Sequence, residues 1–311
     1  MVPLDDMFNN EKYKTDGKKL QKDDFFKGFL KDSYYEGKFY SMPVFGEIEM
    51  IALRKDLFDK AGIPIPKTWD ELRDAAIKLT SSDMWGYSTC WARITLLKVI
   101  FSAVKGRGGR VLDEKGNLSF NDPITREAIK WFVDLRNKDK AMQPNIHEEF
   151  NNSRDEWKKG KVAIFHNWLS WGIEGAKLIG EDKVEYIPVP GTSKNGTMIY
   201  MGGVIVPKAG HVELAKLFIA EEIEAKWFQQ WSFNHYGKNP VRRQNIEGLK
   251  LKVNWDDVIG AIDNGETLPV YEDLLKMSDT AVKYLTLALT GKMDVDSACD
   301  KIYKEISTMK K

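Results

Sequence analysis

Two hydrophobic periods run through this chain, and the places where one gives way to the other mark its elements. Pro43 cannot donate to a ladder and biases Met42 away from helix, so Gly37–Pro43 predicts a turn and an extended entry. Glu47 to Leu53 then alternates charged and apolar positions, as a strand crossing between two surroundings would. Pro64 and Pro66 block helix until Thr68, an N-cap with Glu71 three residues on. That capping box leads into the stripe Leu72, Ala75, Ala76, Leu79 at helical spacing. Ile94 to Val104 is apolar nearly all round, interrupted by Lys98, and predicts a buried helix that Gly106, Gly108 and Gly109 stop.

The rest of the chain continues this alternation of strands and helices, which defines an α/β fold. Met1–Glu36 reads as a loop with a short helix around Phe25, Phe26, Phe29 and Leu30. Strands are expected at Trp85–Tyr87, Trp157–Phe165, Tyr186–Pro190 and Tyr200–Pro207, and a hairpin at Val111–Phe120. Asp122-Pro123 opens a helix with Ala128, Phe132 and Leu135 inward; further helices are expected at Glu213–Ile219 and Tyr284–Leu289. Cys299 shares a helical stripe with Val295, Ala298, Ile302 and Ile306, the pattern of a core thiol. Whether it pairs with Cys90 is left open.

Length and charge narrow the class. A chain of 311 residues splits naturally into two domains. Its net charge is +1 with both signs interspersed, so no nucleic-acid groove or anionic membrane surface is expected. No signal peptide opens the chain, because the residues after Met1 lack a basic region and an apolar core, and no run reaches transmembrane length. There is no CxxC pair, and His147-Glu148-Glu149 is not a zinc motif, so no metal or cofactor is expected. No nucleophile elbow, phosphate loop or dinucleotide fingerprint occurs, so no enzyme is expected either.

The ordered string Gly37-Lys38-x-Tyr40, Pro43, strand, Lys55-Asp-Leu-Phe58, Ala61-Gly-Ile-Pro64, Pro66-Lys-Thr-Trp-Asp-Glu-Leu72 resembles the extracellular solute-binding proteins of sugar ABC importers, the maltose-binding-like family. The resemblance runs from Leu4 onward. It implies a two-lobed α/β periplasmic-binding-protein-like fold with hinge crossing strands and an incomplete first lobe, since the start aligns inside lobe one. Lobe one is expected from 1–47 and 203–248, lobe two from 48–202 and 249–311, with a third crossing near Leu249–Asp256. The implied partners are a sugar held between the lobes and an ABC permease in the membrane, for a monomer on the extracytoplasmic side. A degenerate or partner-completed fragment without sugar binding, or a binder of another small solute, stands as the alternative.

The same resemblance selects site residues. Glu47 aligns with a ligand-contact position, and Glu49 points to the same face; the bland reading is a solvated strand charge. Trp168 takes the place of a stacking tryptophan after Gly160-Lys-x-Ala163, with Trp171 one turn on. Indoles suit the C–H face of a sugar ring, although most tryptophans are core or surface filler. Trp91 and Arg93 fall near family contacts, and Tyr200 with Gly202 at the second crossing. Ser278, preceded by Met277, stands where the maltose branch carries an aromatic, so that platform is lost; Tyr271 is either a substitute or a structural residue. Asn239–Arg243 offers donors at a lobe-one turn, and His166 one more.

Overall fold

The computed structural model describes residues 1–143 and 150–311; His147, Glu148 and Glu149 lie outside the described residues. Five strands organise it: β1 (Ser41–Arg54), β2 (Trp85–Thr89), β3 (Val162–Trp168), β4 (Val184–Pro188) and β5 (Ile199–Ile205). The first half of β1 pairs antiparallel with β5, from Ser41 opposite Ile205 to Ile48 opposite Ile199. Its second half lies between β3 and β4, starting with Glu49 opposite Trp168. β2 closes the second sheet, parallel to β3. One strand thus belongs to two sheets and changes partners between Ile48 and Glu49. The ladder with β5 is irregular between Pro43 and Phe45, where proline's missing N–H is tolerated.

The alternation along β1 feeds two cores. Ile51 and Leu53 enter one, with Phe58, Leu72, Phe101, Phe132 and Leu285. Ile48, Met50 and Ala52 enter the other, with Phe25, Phe29, Trp157, Phe165 and Ile262. The helices around these cores are α1 (Lys55–Ala61), α2 (Trp69–Leu79), α3 (Arg93–Gly106), α4 (Pro123–Asn137), α5 (Phe150–Lys158), α6 (Leu169–Ile179), α7 (Val212–Phe218), α8 (Lys226–Tyr236), α9 (Trp255–Asp263), α10 (Leu274–Leu289) and α11 (Val295–Ile306). The capping box forms as expected: Glu71 N–H donates to Thr68 Oγ1 at 3.2 Å, and Thr68 N–H to Glu71 Oε2 at 3.0 Å.

Several expectations change. Trp157 lies in the last turn of α5 rather than starting a strand; it stacks on Phe165 at 5.4 Å and donates Nε1–H to the Gly172 carbonyl, so its burial wins over strand propensity. Residues 249–254, where a third crossing is expected, run irregularly beside β4, with Tyr186 N–H donating to the Lys252 carbonyl. Cys90 and Cys299 are both free and buried, so no disulfide links them. Tyr271 packs against the first core and gives its hydroxyl to the Gly116 carbonyl at 2.6 Å, and Ser278 is buried, so both serve the packing there.

Arg242, expected at a cleft turn, is instead a buried clasp. Its guanidinium donates to Thr15 Oγ1, the Glu224 carbonyl and Asp24 Oδ2, tying the leading segment to the turn before α8. Removing one partner of a buried ion cluster leaves the others uncompensated. Arg242→Ala is expected to cost about 3 kcal/mol in urea unfolding; a loss below about 1 kcal/mol would show that the cluster is not holding this region.

Candidate functional site

The change of partners along β1 builds the site. Glu47 and Glu49 lie two residues apart and share a face, the period of a strand. Tyr200 sits directly opposite Glu47, and Trp168 directly opposite Glu49, so two carboxylates and two aromatic rings meet where the sheets exchange. Phe45 lies one step further, 6.2 Å from the Tyr200 ring. Its ring rests on Gly202, where an added Cβ would come within 2.4 Å of it, so the glycine permits this packing.

Two lysines close over this face. α3 crosses it, and Lys98 Nζ lies 4.5 Å from the Trp168 ring centroid and 5.0 Å from that of Tyr200. Gly237 ends α8 at φ 68°, and the chain turns back so that Lys238 bonds Glu47 Oε1 and lies 5.3 Å from the Phe45 ring. Ser170 Oγ, in the first turn of α6, donates to the same oxygen at 2.8 Å. Glu47 Oε2 is buried without a hydrogen-bond partner.

Electrostatics follow from burial. Glu47 is 4 % exposed, and desolvation raises its pKa against the pull of Lys238 and Ser170. Glu49 is 0 % exposed, and burial pushes it from 4.5 up to about 8, opposed by Lys98 and reinforced by Glu47. Lys98 is drawn down to about 8 by burial, opposed by the two carboxylates. His166 Nε2 lies 3.8 Å from Glu49 Oε2, but burial lowers the imidazole to about 3, so it is neutral. Its Nδ1 is 2.6 Å from the Tyr87 hydroxyl.

Of the residues expected at the site, Glu47, Trp168, Tyr200, Glu49 and Gly202 come together. Trp168 is 8 % and Tyr200 47 % exposed, so the platform is half open. Trp171 faces a neighbouring cavity of about 220 Å³ with Arg154, Glu174 and Lys177, which reaches the site through Ser170 and Lys238. Trp91 must be removed from the set: it is 2 % exposed and packs edge-on against Phe132 at 5.3 Å, inside the core. Arg93 is exposed at the first turn of α3 and takes part in none of these contacts. His166 is sealed behind Glu49, and Asn239 is buried against the Gly46 backbone. Lys98, Lys238, Ser170 and Phe45 were not anticipated. Lys98 did leave a signal, as a charge inside the apolar run of α3; the others depend on contacts between distant segments.

A two-lobed α/β body with carboxylates, indole and phenol at the strand exchange is the build of a solute-binding protein. The chain belongs to the bacterial extracellular solute-binding protein family, whose model matches residues 1–221. Among sequence relatives, a mannitol-binding protein of Pseudomonas aeruginosa is 23% identical over 232 residues, 69% of this chain and 50% of that protein. A binding protein of Brucella abortus is 30% identical over 169 residues, 52% of this chain and 38% of that one. This chain therefore spans about half the length, or less, of the curated relatives it matches. Among solved structures, maltose-bound MalE3 of T. maritima superposes with a TM-score of 0.76 at 23% identity, over 92% of this chain and 76% of that one. A D-mannitol-bound ABC transporter solute-binding protein of Agrobacterium vitis gives 0.75 at 21% identity, over 99% and 79%. Among the described residues no helix is long and apolar enough to cross a membrane, and no cluster of metal-ligating side chains occurs.

Glu49 gives the site a pH signature. With its folded pKa near 8 against an ordinary 4.5, the folded chain holds an extra proton between these values. Stability therefore falls as pH rises across that window. Glu49→Gln is expected to flatten the decline, read as urea midpoints at the two ends of the window. A slope unchanged by the substitution would assign it to other groups.

Proposed function

We propose that this chain binds a small polyhydroxylated solute, a sugar or polyol, between its lobes and presents it to an ABC permease on the extracytoplasmic side of the membrane. The observation that carries this reading is the unpartnered Glu47 Oε2 beside the Trp168 and Tyr200 rings. A solute hydroxyl donating to it makes a charge-assisted hydrogen bond, while the solute's C–H face packs on the indole. The names of the mannitol-binding relative and of the maltose- and mannitol-bound structures support the same ligand class. Burial of Ser278 and engagement of Tyr271 favour a short ligand over a maltodextrin.

With lobe one as 1–47 and 203–248 and lobe two as 48–202 and 249–311, the site takes groups from both. Glu47 and Lys238 come from one lobe, and Ser170, Trp168, Lys98 and Tyr200 from the other. A ligand touching both stabilises their approach by the contacts it makes only when they are together. The bound monomer is then the form the permease receives.

Titration calorimetry against alditols, monosaccharides and maltose tests this. Glu47→Gln is expected to weaken binding about tenfold or more, and Trp168→Ala about tenfold. Wild-type affinity in both variants would sink the proposal. A second reading, completion of lobe one by a further segment, is favoured by Leu214, Phe218, Trp227 and Trp231, which stand exposed on α7 and α8. Strong binding of an apolar dye to this face, with weak solute affinity, is the outcome that would support it.

A further inference from the structure

The two aromatic rings of the site already share a cation. Lys98 holds its ammonium over Trp168 and Tyr200 together, a cation–π arrangement worth about 0.5–2 kcal/mol. A solute that packs on Trp168 must displace it, and a half-buried ammonium needs another partner. One stands beside it. Glu49, directly across the ladder from Trp168, is fully buried with both carboxyl oxygens lacking hydrogen-bond partners. So placed, the carboxyl group is costly to keep unless some state of the protein satisfies it.

We propose that Lys98 and Glu49 form a relay: solute takes the faces of Trp168 and Tyr200, and the displaced Lys98 ammonium pairs with Glu49. This rests on the polyol reading above and adds to it two positioning residues, neither of which needs to touch the ligand. The relay selects for solutes with an apolar face broad enough to dislodge the lysine, and it fills the buried acceptor in the same movement. The charged and titratable groups around Glu49 are Glu47 on the same strand, His166 on β3, Tyr87 and Cys90 at β2 and its end, and Lys98 on α3. Among the described residues around it, Lys98 is the cation, since His166 is neutral. Glu49 as it stands holds its proton near neutral pH, so pairing with Lys98 sends that proton to the buffer.

Calorimetry with D-mannitol and maltose, on the wild type, Glu49→Gln, Lys98→Met and the double variant, tests the relay. Glu49→Gln is expected to weaken affinity about tenfold when Lys98 is present and under about twofold when it is methionine. Titrations in buffers of different ionisation enthalpy should show proton release in the wild type and none in Glu49→Gln. Lys98→Arg, which keeps the charge, should keep both effects and covers the case in which Lys98→Met fails to fold. An equal effect of Glu49→Gln in both backgrounds, or proton release that survives it, overturns the relay while leaving the solute reading in place. Failure of the wild type to bind either probe or any other polyol overturns both.

Discussion

The register of one strand governs this molecule. β1 spends its first half in one sheet and its second half in another, and Glu47 and Glu49 flank the exchange. Because strand side chains alternate, a slip by a single residue would carry both carboxylates to the face that holds Ile48, Met50 and Ala52. Several contacts pin that register. Asn239 and Gly46 exchange backbone hydrogen bonds at 2.8 and 2.9 Å, and the Phe45 ring packs on Gly202. Segments almost two hundred residues apart therefore set where two acids point.

Around that point the charges are arranged in pairs at different depths. Glu47 lies nearer the half-exposed rim and is already bound by Lys238 and Ser170, which keep one of its oxygens occupied. Glu49 lies deeper, with neutral His166 and Tyr87 behind it and Lys98 above. The same low-dielectric setting that raises both acids lowers Lys98. Such a cluster is poor as a source of stability and well suited to answering a change in contacts. The polar stripe of α3 continues it: Ser102 accepts from Met198 N–H at 3.1 Å, and Lys105 pairs with Glu266 at 2.7 Å, anchoring the helix that carries Lys98.

Much of the fold was legible where local rules and tertiary demand agree. The Thr68 cap, the largely apolar α3, the Asp122-Pro123 helix start and the inward stripe of α11 formed as their patterns predicted. Trp157 did not, because a large indole that can be fully buried against Phe165 outweighs the strand pattern around it. Arg242 misled for a related reason: a turn arginine reads as solvated unless carboxylates and carbonyls from other segments converge on it.

By itself the sequence determined the alternation that makes β1 a shared strand and the starts of α2 and α4, and its resemblance to a known family singled out Glu47 and Trp168. The strand alternation and the helix starts follow from covalent preferences and periodicity, which act over a few residues. The tertiary structure alone decided that Trp91 is core, that Glu49 is sealed from solvent, and that Lys98 and Lys238 cover the aromatic faces and the acid. Burial and charge pairing are properties of what surrounds a residue. Those surroundings come from β3, α3 and the turn after α8, far away along the chain.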